Sequence, residues 1–87
     1  MSTKVENILN PNSCWNRAAD DEPVFIIRAN DDTAPATVTT WAVRYMQSKG
    51  GYASLTLVQR EKYHEALQVA EAMRQWRIKK DEDDIPF

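Results

Sequence analysis

Chemistry at neutral pH needs converging histidines, cysteines or carboxylates, and this chain offers few of them. Its one histidine, His64, has Glu61 and Glu65 near it in sequence. Three candidates without a second His or Cys make a poor metal site, so His64 reads as an exposed helix residue. Cys14 stands beside Trp15, with no general base indicated near it. A thiol without a base is a weak nucleophile, and Cys14 is expected to pack beneath the helices as a small apolar residue. Asp20-Asp21-Glu22 and Asp31-Asp32 bracket an apolar run. They lack calcium-loop spacing and suit turn formation and helix capping. The two glycines form a single pair, Gly50-Gly51, so no phosphate-cradling loop exists. The chain is therefore read as a non-enzyme with no metal and no cofactor.

Two stretches remain that could bind something. Arg74, Trp76, Arg77, Lys79 and Lys80 place four cations and a stacking ring together. Such a set can contact single-stranded nucleic acid. The acids that follow it repel phosphate, and cations at a helix carboxyl end already complement the dipole. The second stretch is the ending, Lys79-Lys80-Asp81-Glu82-Asp83-Asp84-Ile85-Pro86-Phe87. A like-charge run suits a solvated, disordered tail. Solubility explains the acids but leaves Ile85, Pro86 and Phe87 unaccounted for.

The composition limits what such a tail is attached to. Eighty-seven residues allow one domain with a modest core. A hydrophobic content of 43% fits a folded chain. A net charge of −2 argues against both a strongly basic nucleic-acid binder and a strongly acidic DNA mimic. One cysteine excludes an internal disulfide and suits a reducing compartment. The amino-terminal stretch lacks a signal-peptide pattern and no segment reaches membrane-spanning length, so a cytoplasmic protein is expected.

The pattern predicts a mainly α fold (small α+β): an antiparallel helical hairpin with one short strand before it and a disordered acidic tail after it. Residues 1–22 form an irregular segment broken by Asn10-Pro11-Asn12 and Asp20-Asp21-Glu22-Pro23. Residues 23–80 hold the strand and hairpin, and residues 81–87 the flexible tail. The apolar, β-branched run Val24–Ile27 predicts the strand. No second convincing strand exists to pair with it; Val5–Leu9 is a weak candidate, and otherwise the run pairs across a dimer or lies unpaired against the helices.

The first helix is capped by Asp32 or Thr33, with Pro35 in its first turn, and stops at Gly50-Gly51. Val38, Trp41, Ala42 and Tyr45 form its apolar stripe. The second opens on Thr56 and Gln59, which have capping-box spacing, and runs to about Lys79. Its inner face carries Tyr63, Ala66, Leu67, Ala70, Met73 and Arg77. So thin a core makes a homodimer a reasonable expectation.

The residues Asp83, Asp84, Ile85, Pro86 and Phe87, with Glu82 where a third acid usually lies, resemble the acidic C-terminal tip of bacterial single-stranded-DNA-binding proteins. At ~5% frequency per position, a given four-residue ending such as Asp-Ile-Pro-Phe arises by chance roughly once in 10⁵ chains. The resemblance implies a partner: a host replication, recombination or repair enzyme that accepts the tip. In that family the terminal ring enters an apolar pocket, the α-carboxylate meets a basic residue and the acids lie along a basic ridge. It covers residues 81–87 alone, since the chain has neither the strands for an oligonucleotide-binding barrel nor a long linker.

Residues 14–42 resemble a group of small phage and prophage proteins through Cys14, Asp20-Asp21-Glu22-Pro23, the apolar run, Arg28-Ala29, Ala34-Pro35 and Trp41. That resemblance implies a phage origin. The leading expectation is a small adaptor or inhibitor displaying a tip mimic through Glu82–Phe87. The alternatives are a phage accessory protein binding single-stranded nucleic acid through Arg74, Trp76, Arg77, Lys79 and Lys80, and a structural helical-hairpin module with a solubilising tail.

Overall fold

A computed structural model of the chain describes residues 3–83. Over that range the protein is mainly helical. Two short helices, α1 (Lys4–Leu9) and α2 (Cys14–Arg17), precede two long ones, α3 (Ala34–Ser48) and α4 (Leu57–Asp83). A 3₁₀ turn at Tyr52–Ser54 lies between α3 and α4. Among the described residues no helix is long and apolar enough to cross a membrane.

The short helices are held by polar side chains rather than by a core. The Asn16 amide reaches the carbonyls of Asn7, Ile8 and Asn10 at 2.8–2.9 Å. Ser13 Oγ donates to Asn7 O at 2.6 Å and accepts the Asn16 N–H at the start of α2. Thr3 caps α1 by accepting the Glu6 N–H. Residues 1–22 are thus not wholly irregular: Val5–Leu9, the weak strand candidate, lies in α1, which Thr3 caps, and Cys14–Arg17 forms α2.

The start of α3 is organised one residue earlier than expected. Thr33 occupies the cap position but makes no side-chain cap bond. Asp31 Oδ1 instead accepts the Thr33 N–H at 2.8 Å and the Thr33 hydroxyl at 2.7 Å. Pro35 sits in the first turn, where a missing N–H costs nothing. The helix stops where the backbone turns left-handed, at Gly50 (φ 94°) and Gly51 (φ 101°). A side chain at either position would be strained. The α4 capping box forms as the spacing predicts. Gln59 N–H donates to Thr56 Oγ1 at 3.2 Å, and Thr56 N–H donates to Gln59 Oε1 at 2.9 Å.

The two long helices pack against each other, and the far end of α4 lies near the chain that leads into α3. The inner face read from the sequence is the one the structure uses. Ala70 is buried, and Tyr63, Ala66, Leu67, Met73 and Arg77 are partly covered. What fills the interface is small: among the described residues Ala34, Pro35, Ala42, Leu55 and Ala70 are buried, and no large side chain is wholly enclosed. Alanines on both helices permit close backbone approach but bury little apolar area, so the stabilisation per residue is low. The radius of gyration is 15.0 Å. A compact chain of this length would have about 12 Å. The excess follows from α4, whose 27 residues extend about 40 Å at 1.5 Å each.

Three expectations are corrected. Within the single chain Val24–Ile27 forms no strand, because no strand exists among the described residues to pair with it. A strand without a ladder leaves its amides unsatisfied, so β-propensity alone does not make one. Cys14 is exposed rather than packed beneath the helices, since α2 turns it to solvent. The α4 helix passes the expected limit near Lys79–Lys80 and takes in Asp81, Glu82 and Asp83, where the sequence pattern predicts a flexible tail.

Candidate functional site

The far end of α4 brings together the basic residues singled out in the sequence and the beginning of the acidic ending. Arg77 Nη1 donates to Asn30 O at 2.5 Å, and Lys80 Nζ donates to Asn30 Oδ1 at 2.7 Å. These bonds tie α4 to the turn that leads into α3, across a sequence separation of about fifty residues. Lys80 also lies 5.4 Å from the centroid of the Trp76 ring. Trp76 itself is half exposed. Arg74 pairs with Glu71, one turn back on the same helix. Lys79 is exposed. The five residues are thus neighbours, but Arg74, Arg77 and Lys80 have intramolecular acceptors already.

A groove of about 350 Å³ runs between the start of α3 and the end of α4. Pro35, Ala36 and Ile78 give it an apolar floor, with Arg74 and Arg77 opposed by Asp32 and Asp81. The two cations and two acids leave the groove with no net formal charge to attract a phosphate.

Two carboxylates near this end are displaced downward in pKa. The Thr33 hydroxyl holds Asp31 below its ordinary value of 3.8, helped by the Thr33 amide and the positive charge of Arg77. The Gln75 amide holds Glu71 below its usual range, with Arg74 adding to the effect. A lowered folded-state pKa means that the charged form stabilises the fold. That contribution is complete above the ordinary value and is lost as pH falls through the lowered one. An NMR titration of the Asp31 carboxyl is expected to give a midpoint below 3.8. Loss of amide protection at the start of α3 should follow the same titration, and Asp31→Asn should remove that pH dependence. A midpoint at or above the ordinary value would show the Thr33 contacts to be absent in solution.

Of the acidic ending, α4 contains the backbone of Glu82 and Asp83, whereas Asp84, Ile85, Pro86 and Phe87 lie outside the described residues. The helix therefore carries the chain to the edge of the tip itself.

Elsewhere, His64 Nε2 shares a 2.9 Å hydrogen bond with the Tyr52 hydroxyl, with Arg60 about 5.0 Å above the Tyr52 ring. Trp41 stacks on Tyr45 at 5.3 Å between centroids, and Lys62 lies over both rings. The Tyr52 contacts fasten the 3₁₀ turn to α4, and Lys62 links α4 to the Trp41–Tyr45 pair of α3. Among the described residues no group of three or more His, Cys, Asp or Glu side chains could hold a metal ion. Sequence reasoning missed Asn30 as the acceptor that anchors α4. Its only signal was membership of the turn Asn30-Asp31-Asp32.

No protein-family model matches the chain, and no curated protein or solved structure matches it either.

Proposed function

We propose that the protein is a small phage-type adaptor or inhibitor: a helical hairpin that presents a mimic of the single-stranded-DNA-binding protein tip to a host DNA-maintenance enzyme. The observation that carries this reading is the ending Asp83-Asp84-Ile85-Pro86-Phe87. Phe87 supplies a ring for an apolar pocket, and its α-carboxylate supplies a charge-assisted partner for Arg or Lys. Pro86 restricts the backbone and lowers the ordering cost, while the acids speed encounter with a basic surface. So few anchors give affinity near micromolar, weakened by salt.

The engaged state of Arg74, Arg77 and Lys80 favours this reading over a nucleic-acid surface on α4. Cations already bonded to Asn30 and Glu71 gain less from phosphate. Competition tests the proposal. The full chain, with Phe87 as its last residue, is titrated into a purified enzyme that accepts the bacterial tip. A synthetic peptide ending Asp-Asp-Asp-Ile-Pro-Phe is expected to displace it, and doubled salt to weaken it. Binding that the peptide leaves untouched, or no binding to any tip-accepting enzyme, would sink the idea.

A further inference from the structure

The run from Glu22 to Arg28 carries three consecutive exposed apolar residues, Val24, Phe25 and Ile26. Phe25 is 88% exposed, Ile26 65% and Val24 54%. No backbone hydrogen bond involves Val24, Phe25, Ile26 or Ile27. Each of these residues has β-branched or aromatic character, and their amides have only water to bond. Such a segment is a template for strand pairing. We propose that it pairs antiparallel with the same segment of a second copy, about a two-fold axis passing through Phe25.

The register follows from symmetry and charge. A two-fold axis perpendicular to a β-ribbon keeps every side chain on its own face, so the axis falls on a residue and not between two. Centred on Phe25, Val24 faces Ile26 of the second copy, Pro23 faces Ile27, and Glu22 faces Arg28. The last pair occurs twice by symmetry and opposes unlike charges. Centred on Ile26, Arg28 would face Val24 instead. Centred on Val24, it would face Asp20, which lies in the turn closed by the Glu22 N–H on Ala19 O. That turn keeps Asp20 out of a ribbon.

Proline supports the same register. If Phe25 forms a non-hydrogen-bonded pair with its own copy, Val24 and Ile26 exchange the ladder bonds and Pro23 returns to a non-bonded position. Pro23 then has no N–H to miss. Glu22 N–H already serves Ala19 O, so the ladder ends at Pro23 and Glu22 contributes through its side chain. That carboxylate accepts one long bond, 3.4 Å from the Ala19 N–H, and stays exposed; Arg28 is exposed as well. The two Phe25 rings meet on the face that also carries Ile27 and Pro23, where cross-strand aromatic pairs add to sheet stability.

Sedimentation of the full chain over a concentration series tests the pairing, with circular dichroism confirming that each variant keeps its helices. The wild type is expected to sediment as two chains. Ile26→Pro, which removes a ladder donor at an exposed position, should return it to one. Glu22→Arg or Arg28→Glu alone should weaken association about tenfold or more, because each sets like charges face to face. The double exchange Glu22→Arg with Arg28→Glu should restore it. In a Cys14→Ser background, Phe25→Cys should form an interchain disulfide on mild oxidation, since such pairs bring Cα atoms to about 4.5 Å. Val24→Cys, facing Ile26 rather than itself, should not. A single-chain mass at every concentration overturns the proposal. So does a dimer that ignores Ile26→Pro, or one in which the charge exchange restores nothing.

Discussion

Replacing Phe87 with alanine is expected to weaken binding to a tip-accepting enzyme about 30-fold, while leaving the far-ultraviolet circular dichroism unchanged. Burying a phenylalanine ring contributes on the order of 2 kcal/mol, and each 1.4 kcal/mol is about a factor of ten. The loss should lie mainly in the dissociation rate, because the ring acts after encounter. Extending the chain by one glycine past Phe87 is expected to cost a comparable amount. It moves the carboxylate away from its basic partner and leaves that cation without its charge-assisted bond. Asp83→Asn and Asp84→Asn should instead lower the association rate and flatten the salt dependence. Calorimetric titration together with stopped-flow kinetics separates these effects. Equal affinity for the wild type and Phe87→Ala would remove the ring from the interface and with it the proposed function.

The second large effect concerns the packing of the long helices. Ala70→Leu is expected to lower the midpoint of thermal unfolding by about 10 °C or more. Ala70 is 2% exposed on α4, and Ala42 on α3 is fully buried. Their small side chains set how closely the helices approach. A leucine at so buried a position must separate the helices or leave its rotamer, which costs about 1–3 kcal/mol. In a domain of this size each kcal/mol moves the midpoint by about 4–8 °C. The effect is large because so small a core has little stability to lose. Gln68→Leu, on the exposed side of the same helix, is the control and should change the midpoint little. Calorimetry of both variants decides. An Ala70→Leu protein as stable as the wild type would mean that α3 and α4 are not in close contact in solution.

Several features were legible in the residues because local rules govern them. Thr56 and Gln59 form their reciprocal cap because both partners lie within one turn. Gly50 and Gly51 stop α3 because the backbone there turns left-handed. The period of Tyr63, Ala66, Leu67, Ala70 and Met73 identifies the inner face of α4, since a helix fixes which residues share a side. The acids of the ending were readable too, but not that α4 takes in Asp81, Glu82 and Asp83. No glycine or proline stands before them in α4 to end the helix sooner.

What escaped sequence reasoning depends on partners distant in the chain. Val24–Ile27 has the composition of a strand, but composition cannot supply a second strand, and none exists among the described residues. Cys14 has the chemistry of a buried residue, yet the Asn16 and Ser13 bonds turn α2 so that it faces solvent. Arg77 and Lys80 look like free cations in a basic patch until Asn30, some fifty positions earlier, takes up both. Spacing within a few turns is enough to read the two long helices, the inner face of α4 and the chemistry of the last five residues, whereas Trp41 of the expected α3 stripe lies exposed. Tertiary structure alone decided which cations are already engaged and which apolar segment is left uncovered. Those outcomes depend on long-range encounters, and no local rule encodes them.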